Sequence, residues 1–221
     1  LFVFDRIDAA RLLVLALHPF VRRQPGRPGE KLARALQDSG PSFIKLGQAL
    51  ASRSDLLGEQ IAADLSQLQD RLPPFPFDDV RTTIEDEFGR PLEELFRSLD
   101  EETVAAASIA QVHFAVDAEG REVAVKVLRP GIEAAFDRDL DLFFWIGERV
   151  ELHIPVLRRL RLVESVATLA DAVEREMDLR FEAAAAAELT ENFAGDPSFH
   201  IPIVDWMRTG KRVLTTQRVS G

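Results

Sequence analysis

The sequence contains no cysteine among its 221 residues. This excludes disulfide bonds, thiolate metal sites and cysteine nucleophiles, and it fits a reducing compartment such as the cytoplasm. Long apolar runs are also missing. Residues 12–17 form the longest candidate before His18 and Pro19, well short of the ~18 residues that a membrane-spanning helix needs. No signal segment is visible and the chain begins with Leu1, so we expect a piece of a longer protein.

The chain also has no excess of basic residues. The chain has 27 lysine and arginine residues against 37 aspartate and glutamate residues, a net charge of −10. Because nucleic-acid binding needs a positive surface, we expect no nucleic-acid partner. Two short basic runs, at Arg22–Arg23 and at residues 158–161, are typical of solvated helix faces, and contact with anionic lipid is the alternative interpretation.

The composition, 46% hydrophobic and 29% charged, is that of a globular protein. Capping residues and apolar spacing predict helices over residues 5–20, 30–36, 42–72 (with turns near Asp55 and Gly58), 78–88 and 91–99. Strands are predicted over 104–116 and 122–128, around a turn at 117–120. Further helices follow over 132–150 and 163–193, and a second hairpin over 201–206 and 212–216. This order predicts an α+β fold.

The strand over residues 122–128 contains Val-Ala-Val-Lys, which ends at Lys126. In a kinase small lobe, a hairpin covers the nucleotide phosphates, a lysine on the next strand faces them, and a glutamate from a following helix positions that lysine. Strand alternation places Val125 and Val127 on the face opposite Lys126. A lysine that faces solvent is the alternative for this motif alone.

The glycine-rich loop of ordinary kinases is missing. Residues 105–109 read Ala-Ala-Ala-Ser-Ile instead. Each alanine Cβ restricts the approach of the backbone to a phosphate and disfavours left-handed conformations. The alternative interpretation is a small-residue strand that packs under a helix. The four histidines, at positions 18, 113, 153 and 200, have no metal-ligand spacing, and no metal-ligating residues are predicted.

Four stretches carry a family resemblance. They are Lys45-Leu46-Gly47-Gln48, Ala-Ala-Ala-Ser-Ile-Ala-Gln-Val-His at 105–113, Val-Ala-Val-Lys-Val-Leu-Arg-Pro-Gly at 123–131, and Glu176-Met177-Asp178 followed by Glu182-Ala183. With these motifs in this order, the sequence resembles the UbiB-type atypical kinases, a family linked to ubiquinone biosynthesis in bacteria and mitochondria. The similarity extends from about residue 30 to the end.

The resemblance implies a helical N-terminal extension over residues 1–100 and a kinase-like small lobe over residues 101–221 that ends at the hinge, with the large lobe missing. It implies that Lys45 and Gln48 of the extension face the nucleotide site. The acidic pair of the family would be Glu176 and Asp178, and Glu182 would position Lys126.

The same resemblance assigns the nucleotide contacts. Ala105, Ala106, Ala107 and Ser108 would meet the phosphates together with Lys126. The backbone around Gln217 to Val219 would bind adenine, with Thr216 behind it. Family members often carry glutamate where this chain has Gln217, and asparagine where it has Ala185.

The implied activity is Mg²⁺-ATP binding with slow ATP turnover in support of ubiquinone synthesis, rather than phosphorylation of proteins. The implied partners are ATP, lipids or quinone precursors, and proteins of ubiquinone biosynthesis, with the parent protein at the inner membrane. Because the magnesium-binding and catalytic residues would follow Gly221, we expect this chain not to turn over ATP. The alternative is a non-catalytic module that binds a lipid or a partner protein.

Helix geometry restricts the acidic motif. Asp178 and Glu182, four residues apart, share a helical face, whereas Glu176 lies about 200° from Asp178. If both acidic residues serve one site, the helix must therefore begin or distort near residue 177. Otherwise Glu176 would pair with Arg180 as an ordinary surface pair.

Overall fold

The computed structural model describes residues 26–68 and 72–219. The helix predicted over residues 5–20 lies outside the described residues. The described chain begins with four helices: α1 (Pro28–Ser39), α2 (Pro41–Ala51), α3 (Ser54–Leu57) and α4 (Glu59–Leu65). Both α1 and α2 begin with a proline, which is favoured at the first helical position because its missing N–H is not needed there. The predicted helical extension is confirmed over these residues.

The extension has a small core of its own. Leu36, Leu65 and Leu68 are buried together where α1, α2 and α4 meet. Asp64 is buried beside this core, and the Arg27 guanidinium donates to its Oδ1 at 2.5 Å. The start of α1 is therefore fixed to α4 by a hydrogen-bonded ion pair.

Gly47, the glycine of the Lys-x-Gly-Gln motif, lies at a close approach of helices. A Cβ there would overlap Leu68 Cδ1 and would come within 2.8 Å of Leu36 Cδ1. At Gly147 in α7 (Ile132–His153), by contrast, an added Cβ would lie at an ordinary van der Waals distance from Val163. Both atoms near Gly47 are the ends of leucine side chains, which can shift, so we expect Gly47→Ala to be less stable than Gly147→Ala by no more than about 1 kcal/mol, although both substitutions gain the same helix propensity. Urea denaturation of both variants measures this difference, and equal stabilities would contradict the tight packing at Gly47.

Five antiparallel strands form one sheet: β1 (Phe96–Leu99), β2 (Ala105–Ala106), β3 (Ala110–Asp117), β4 (Glu122–Leu128) and β5 (Val213–Gln217). Their order is β1-β3-β4-β5, and β2 also pairs with β3. The turn between β3 and β4 is stabilised by the Asp117 carboxylate, which accepts the N–H groups of Glu119 and Arg121. The predicted hairpin at this position is confirmed.

Helices cover both faces of the sheet. They are α5 (Phe77–Phe88), α6 (Leu92–Leu95), α7, α8 (Leu162–Glu176) and α9 (Leu179–Asn192). On one face, Val123, Val125 and Val127 are buried against α5. On the other, Leu128 and Leu214 join a core formed with α7, α8 and α9. The α+β fold, with a sheet between helical layers, is confirmed.

Four predictions of secondary structure are wrong. The strand over 104–116 is interrupted at residues 107–109, where the chain turns and β2 pairs with β3. The helix over residues 91–99 ends at Leu95, because Phe96–Leu99 pairs with β3 as an edge strand and Phe96 is buried in the core. The strand over 201–206 is reduced to one bridge between Val204 and Thr216, because Asp205 caps a short 3₁₀ helix there. The helix over 163–193 is divided into α8 and α9.

The boundary predicted at residue 100 does not coincide with the packing. Helix α5 and strand β1 belong to the sheet, since Val80, Ile84 and Phe96 share a core with β4 and β5. The change from extension to lobe therefore falls between α4 and α5. Within the described residues, no helix combines the length and apolar character needed to cross a bilayer.

Among residues 26–68 and 72–219, a half-open pocket lies at the junction between the extension and the lobe. A cavity of about 270 Å³ lies where α1 and α2 meet α7 and α8. Apolar side chains form most of its wall, among them Leu36, Phe43, Leu46, Leu50, Phe143 and Leu169. Helix α2, which carries Lys45, therefore lies along an apolar pocket in the described part of the chain.

Candidate functional site

Lys126 meets a carboxylate from the helix that follows the sheet. Its Nζ donates to Glu182 Oε2 at 2.7 Å, between residues 56 positions apart in the sequence. Val125 and Val127, on the opposite face of β4, are fully buried. The structure therefore places Lys126 on the face opposite these valines and pairs it with Glu182, as expected, while the role of the pair towards a nucleotide stays a prediction.

The alanine loop lies beside this lysine. In the register of the sheet, Ala105 opposes Val112, Val112 opposes Lys126, and Lys126 opposes Leu214. Residues that oppose one another in an antiparallel sheet share a face, and two strand spacings place Ala105 about 10 Å from Lys126. Ala105 is exposed and carries only a methyl group. The row is therefore accessible to solvent at Ala105 and partly at Lys126, whereas Leu214 at its other end is buried.

The loop itself is a tight hairpin. The Ala107 N–H donates to the Ala110 carbonyl at 2.8 Å. Ala106 and Ala107 are half-buried, whereas the Ser108 side chain is fully buried. The hydroxyl of Ser108 therefore does not face the open side of the loop.

Arg129 supports this hairpin and was missed by the sequence reasoning. Its backbone N–H donates to the Ile109 carbonyl at 2.8 Å, and its guanidinium reaches the Ser108 carbonyl at 3.3 Å and the Pro73 carbonyl at 3.0 Å. The guanidinium also stacks over the Phe75 ring, and burial lowers the pKa of Arg129. The sequence offered one sign of this role: Arg129 is a charged residue that directly follows the buried strand β4.

The acidic motif lies at a break between two helices. Helix α8 ends at Glu176, and Asp178 is the N-cap of α9, where its side chain accepts the Arg180 N–H. The Leu179 N–H donates to the Lys211 carbonyl at 2.9 Å and so ties the start of α9 to the segment before β5. The chain therefore breaks near residue 177, which is the condition under which Glu176 and Asp178 could serve one site.

Each acidic residue of this region has a basic partner. Glu176 accepts from Lys45 Nζ at 2.5 Å rather than from Arg180. The Arg180 guanidinium instead donates to both carboxylate oxygens of Asp178, at 2.8 and 2.6 Å, and these bonds hold the pKa of Asp178 below its usual value. Glu182 is the partner of Lys126.

These pairings do not fit a magnesium site formed by the three carboxylates. The carboxylates of Glu176, Asp178 and Glu182 face ammonium or guanidinium groups. In residues 26–68 and 72–219, no cluster of three or more His, Asp or Glu side chains could hold a metal ion. We derive no metal-dependent step from these residues.

The extension reaches the same region through α2. This helix packs against α7 and α8, and the Lys45 side chain, 13% exposed, crosses to Glu176 at the break. Gln48 is half-buried one turn further along α2. The structure thus brings Lys45 to the acidic motif and places Gln48 near the same face of the helix.

The predicted hinge follows β5. Thr216 opposes Ala124 of β4, and the Gln217 N–H donates to the Ile203 carbonyl at 2.8 Å. The Arg218 N–H donates to the Glu122 carbonyl at 3.1 Å. The side chains of Gln217 and Val219 are exposed, so this end of the sheet is accessible to a ligand.

The Gln-Val-His string at residues 111–113 is structural. The buried Gln111 amide accepts the Phe75 N–H at 2.9 Å and donates to the Phe75 carbonyl at 3.2 Å. His113 lies 2.8 Å from the Asp100 carbonyl through Nδ1 and 3.0 Å from Gln111 Nε2 through Nε2. Because a carbonyl only accepts and this amide nitrogen only donates, His113 is the neutral Nδ1–H tautomer.

This network predicts a dependence of stability on pH. Burial lowers the pKa of His113 from its ordinary value of 6.5. The unfolded chain then takes up the proton first, so the unfolding free energy is complete above pH 6.5 and falls as the pH decreases towards the folded pKa. Urea unfolding at about pH 7.5 and about pH 5.5 should show this loss for wild type and for His153→Gln. A loss of the same size in His113→Gln would contradict the assignment.

Comparisons with known proteins agree on one family. A family model for the ABC1 atypical kinase-like domain matches residues 67–221. A protein of Marinobacter nauticus named "Probable protein kinase UbiB" is 44% identical over 193 residues, which are 87% of this chain and 35% of that protein. A protein of the same name from Cellvibrio japonicus is 38% identical over 213 residues, 96% of this chain and 38% of that protein. This chain therefore spans little more than a third of these relatives.

A solved structure has the same fold. The Rv3197–erythromycin complex from Mycobacterium tuberculosis aligns with a TM-score of 0.54 and 28% identity, over 98% of this chain and 51% of that chain. The family model extends over both the sheet and the acidic motif. From these matches, the chain belongs to the ABC1 atypical kinase-like family.

Proposed function

We propose that this chain is the ATP-binding part of a UbiB-type atypical kinase that acts in ubiquinone biosynthesis. The observation that carries the proposal is the 2.7 Å pair between Lys126 Nζ and Glu182 Oε2, beside the small-residue loop. The connection to ubiquinone rests on the name UbiB of the relatives and not on a ligand site in this chain.

Lys126 supplies the positive charge for the phosphates. Its side chain is 30% exposed and that of Glu182 is 51% exposed, so an incoming phosphate can reach the ammonium. The carboxylate keeps the ammonium on the open face of β4, because β4 and α9 are both fixed by the core. Positioned charge of this kind is the main contribution that a protein makes to phosphoryl transfer.

The loop and the hinge would hold the two ends of the nucleotide. Ala105, Ala106 and Ala107 allow the phosphates to approach the sheet, although less closely than glycine would. Since the Gln217 and Arg218 N–H groups already donate within the sheet, adenine would meet the Gln217 carbonyl and the Val219 N–H. Thr216 would lie behind the base.

The extension limits what the site can accept. Lys45 reaches Glu176 next to the break, and we expect α2 to fill the side of the site where a protein substrate would enter. This arrangement favours ATP turnover over transfer to a protein. Magnesium, when bound with the nucleotide, would neutralise phosphate charge. We expect its ligands outside these residues, and hence no ATP hydrolysis by this chain alone.

Thermal and urea unfolding of the chain with and without Mg²⁺-ATP tests the proposal. At a hundredfold excess over the dissociation constant, the nucleotide should stabilise the folded chain by about 2.7 kcal/mol, and no inorganic phosphate should be released. Absence of any stabilisation at millimolar Mg²⁺-ATP would contradict nucleotide binding. Hydrolysis that is lost in Lys126→Ala would contradict the expected inactivity.

A further inference from the structure

The segment that leads into β5 is held by a carboxylate of α5. Glu87, whose side chain is 14% exposed, lies near the end of that helix. Its Oε1 accepts the Lys211 N–H at 2.5 Å, and its Oε2 accepts from Arg212 Nε at 3.0 Å. Because both carboxylate oxygens are engaged, residues 210–212 are fixed relative to α5. We refer to these three residues as the clamped segment.

Gly210 shows how closely the carboxylate lies against the clamped segment. A Cβ at this position would overlap Glu87 Oε1. The Gly210 N–H donates to the Val213 carbonyl at 2.8 Å, which closes the turn before β5. Glycine at position 210 therefore leaves the room that the Glu87 carboxylate occupies.

The clamped segment in turn holds two elements of the candidate site. The Arg212 carbonyl accepts the Leu128 N–H of β4 at 2.9 Å. The Lys211 carbonyl accepts the N–H of Leu179, the first residue of α9, at 2.9 Å. The first N–H groups of a helix have no carbonyl partner within the helix. The Lys211 carbonyl therefore supplies one from outside and sets where α9 starts relative to β4.

The start of α9 decides the position of Glu182. This residue follows Leu179 by three positions, which is about 4.5 Å along the helix axis. A displacement of the helix start would therefore be carried to Glu182. If α9 moved by roughly 1 Å, the 2.7 Å bond to Lys126 Nζ would lengthen beyond hydrogen-bonding distance or force a side chain from its preferred rotamer.

We propose that Glu87 is a positioning residue for the pair of Lys126 and Glu182. Through the backbone of the clamped segment, it holds the start of α9 and so keeps the Glu182 carboxylate against the Lys126 ammonium. This inference rests on the proposed function, in which the ammonium meets the phosphates of ATP. The route uses only main-chain groups of Lys211, whose side chain pairs with Glu133 instead.

A carbodiimide cross-link formed without nucleotide tests this position. The reagent joins a carboxylate and an amine as an amide only when the two groups are in contact, and mass spectrometry identifies the joined residues. We expect the wild-type chain to form the cross-link between Lys126 and Glu182. In Glu87→Ala its rate should fall by at least about tenfold, because a ~1 Å misplacement of reacting groups can cost roughly a hundredfold. The cross-link between Lys45 and Glu176, a pair outside the clamped segment, should form at the wild-type rate.

Glu85→Ala is the matched control. Glu85 lies on the same helix, accepts the Leu92 N–H at 2.9 Å and pairs with Arg81 at 3.6 Å. Like Glu87, it therefore binds one backbone N–H and one arginine. Its removal should lower the unfolding free energy but leave the cross-link between Lys126 and Glu182 unchanged, since its backbone partner begins α6 rather than α9.

Gly210→Ala disturbs the same contact from the other side. The added Cβ would displace the Glu87 carboxylate, which is the end of a flexible side chain and can move at little cost in stability. This variant should reduce the cross-link as Glu87→Ala does. It decides the question if Glu87→Ala does not fold.

Three results would overturn the proposal. They are a wild-type cross-link rate in Glu87→Ala (or in Gly210→Ala, should Glu87→Ala not fold), an equal fall in Glu85→Ala, and an equal fall of the cross-link between Lys45 and Glu176. Because the cross-link needs no nucleotide, a wild-type chain that Mg²⁺-ATP does not stabilise would contradict the proposed function and not the position that Glu87 gives to α9.

Discussion

Replacing Lys126 with alanine is expected to remove most of the stabilisation by Mg²⁺-ATP. The wild-type chain should gain about 2.7 kcal/mol at a hundredfold excess of nucleotide over its dissociation constant. The variant loses the Lys126 ammonium, which lies in the same row of the sheet as Ala105 of the alanine loop. It should therefore show little stabilisation at the same nucleotide concentration. The midpoint of thermal unfolding, recorded against Mg²⁺-ATP concentration, measures the difference.

Lys211→Ala is the matched control. Lys211 is also exposed and also pairs with a glutamate, since its Nζ lies 2.5 Å from Glu133 Oε1. It is outside the row of Ala105 and Lys126, so its removal should leave the response to nucleotide unchanged. Glu182→Gln keeps a hydrogen-bonding group but loses the charge, and we expect a weakened response. If Lys126→Ala and Lys211→Ala responded alike, Lys126 would have no special role.

The largest loss of stability is expected from Gln111→Ala. The Gln111 amide is 1% exposed and satisfies both the N–H and the carbonyl of Phe75, and it also donates to His113. The alanine variant would leave these buried groups without that partner. Each unsatisfied buried group costs about 1–3 kcal/mol, so we expect a loss of about 2–5 kcal/mol in the unfolding free energy. Urea denaturation at neutral pH measures it.

Gln67→Ala, at an exposed position before the undescribed residues 69–71, is the control and should change the unfolding free energy by less than about 0.5 kcal/mol. A Gln111→Ala variant as stable as this control would mean that the segment around Phe75 does not depend on the amide. In that case the Gln-Val-His string would need another explanation.

The local sequence pattern was sufficient to predict which side chains are buried where an element has one buried face. The alternation in residues 122–128 predicted which side chains of β4 enter the core, and Val125 and Val127 are indeed buried. Spacing predicted one continuous helix over residues 163–193, whereas α8 ends and α9 begins near residue 177. Helical geometry required a distortion there only if Glu176 and Asp178, which the family resemblance pairs, serve one site. The pairing of Lys126 with Glu182 came from the family resemblance, since nothing local joins residues so distant in sequence.

The features that the sequence did not predict depend on contacts between residues distant in the sequence. From its local sequence, Phe96–Leu99 is predicted to be the end of a helix. It is a strand because it pairs with β3. The role of Arg129 depends on Ser108 and Pro73, which only the folded chain brings to it. Likewise, Asp178 could be recognised as a helix cap held by Arg180 only once the break between α8 and α9 was located. The spacing rules for a continuous helix do not predict which side chains pair at a helix start, because the residues before the start are not helical.

Labelling with an acyl-phosphate derivative of ATP tests the central claim most directly, because it acylates the lysine that lies next to the bound phosphates. The chain has only four lysines, Lys31, Lys45, Lys126 and Lys211, so mass spectrometry can assign each acyl group. We expect Lys126 to be labelled most, and excess Mg²⁺-ATP to suppress this labelling. If the exposed Lys31 and Lys211 were labelled as strongly as Lys126, or if Mg²⁺-ATP gave Lys126 no protection, Lys126 would not face the phosphates of a nucleotide.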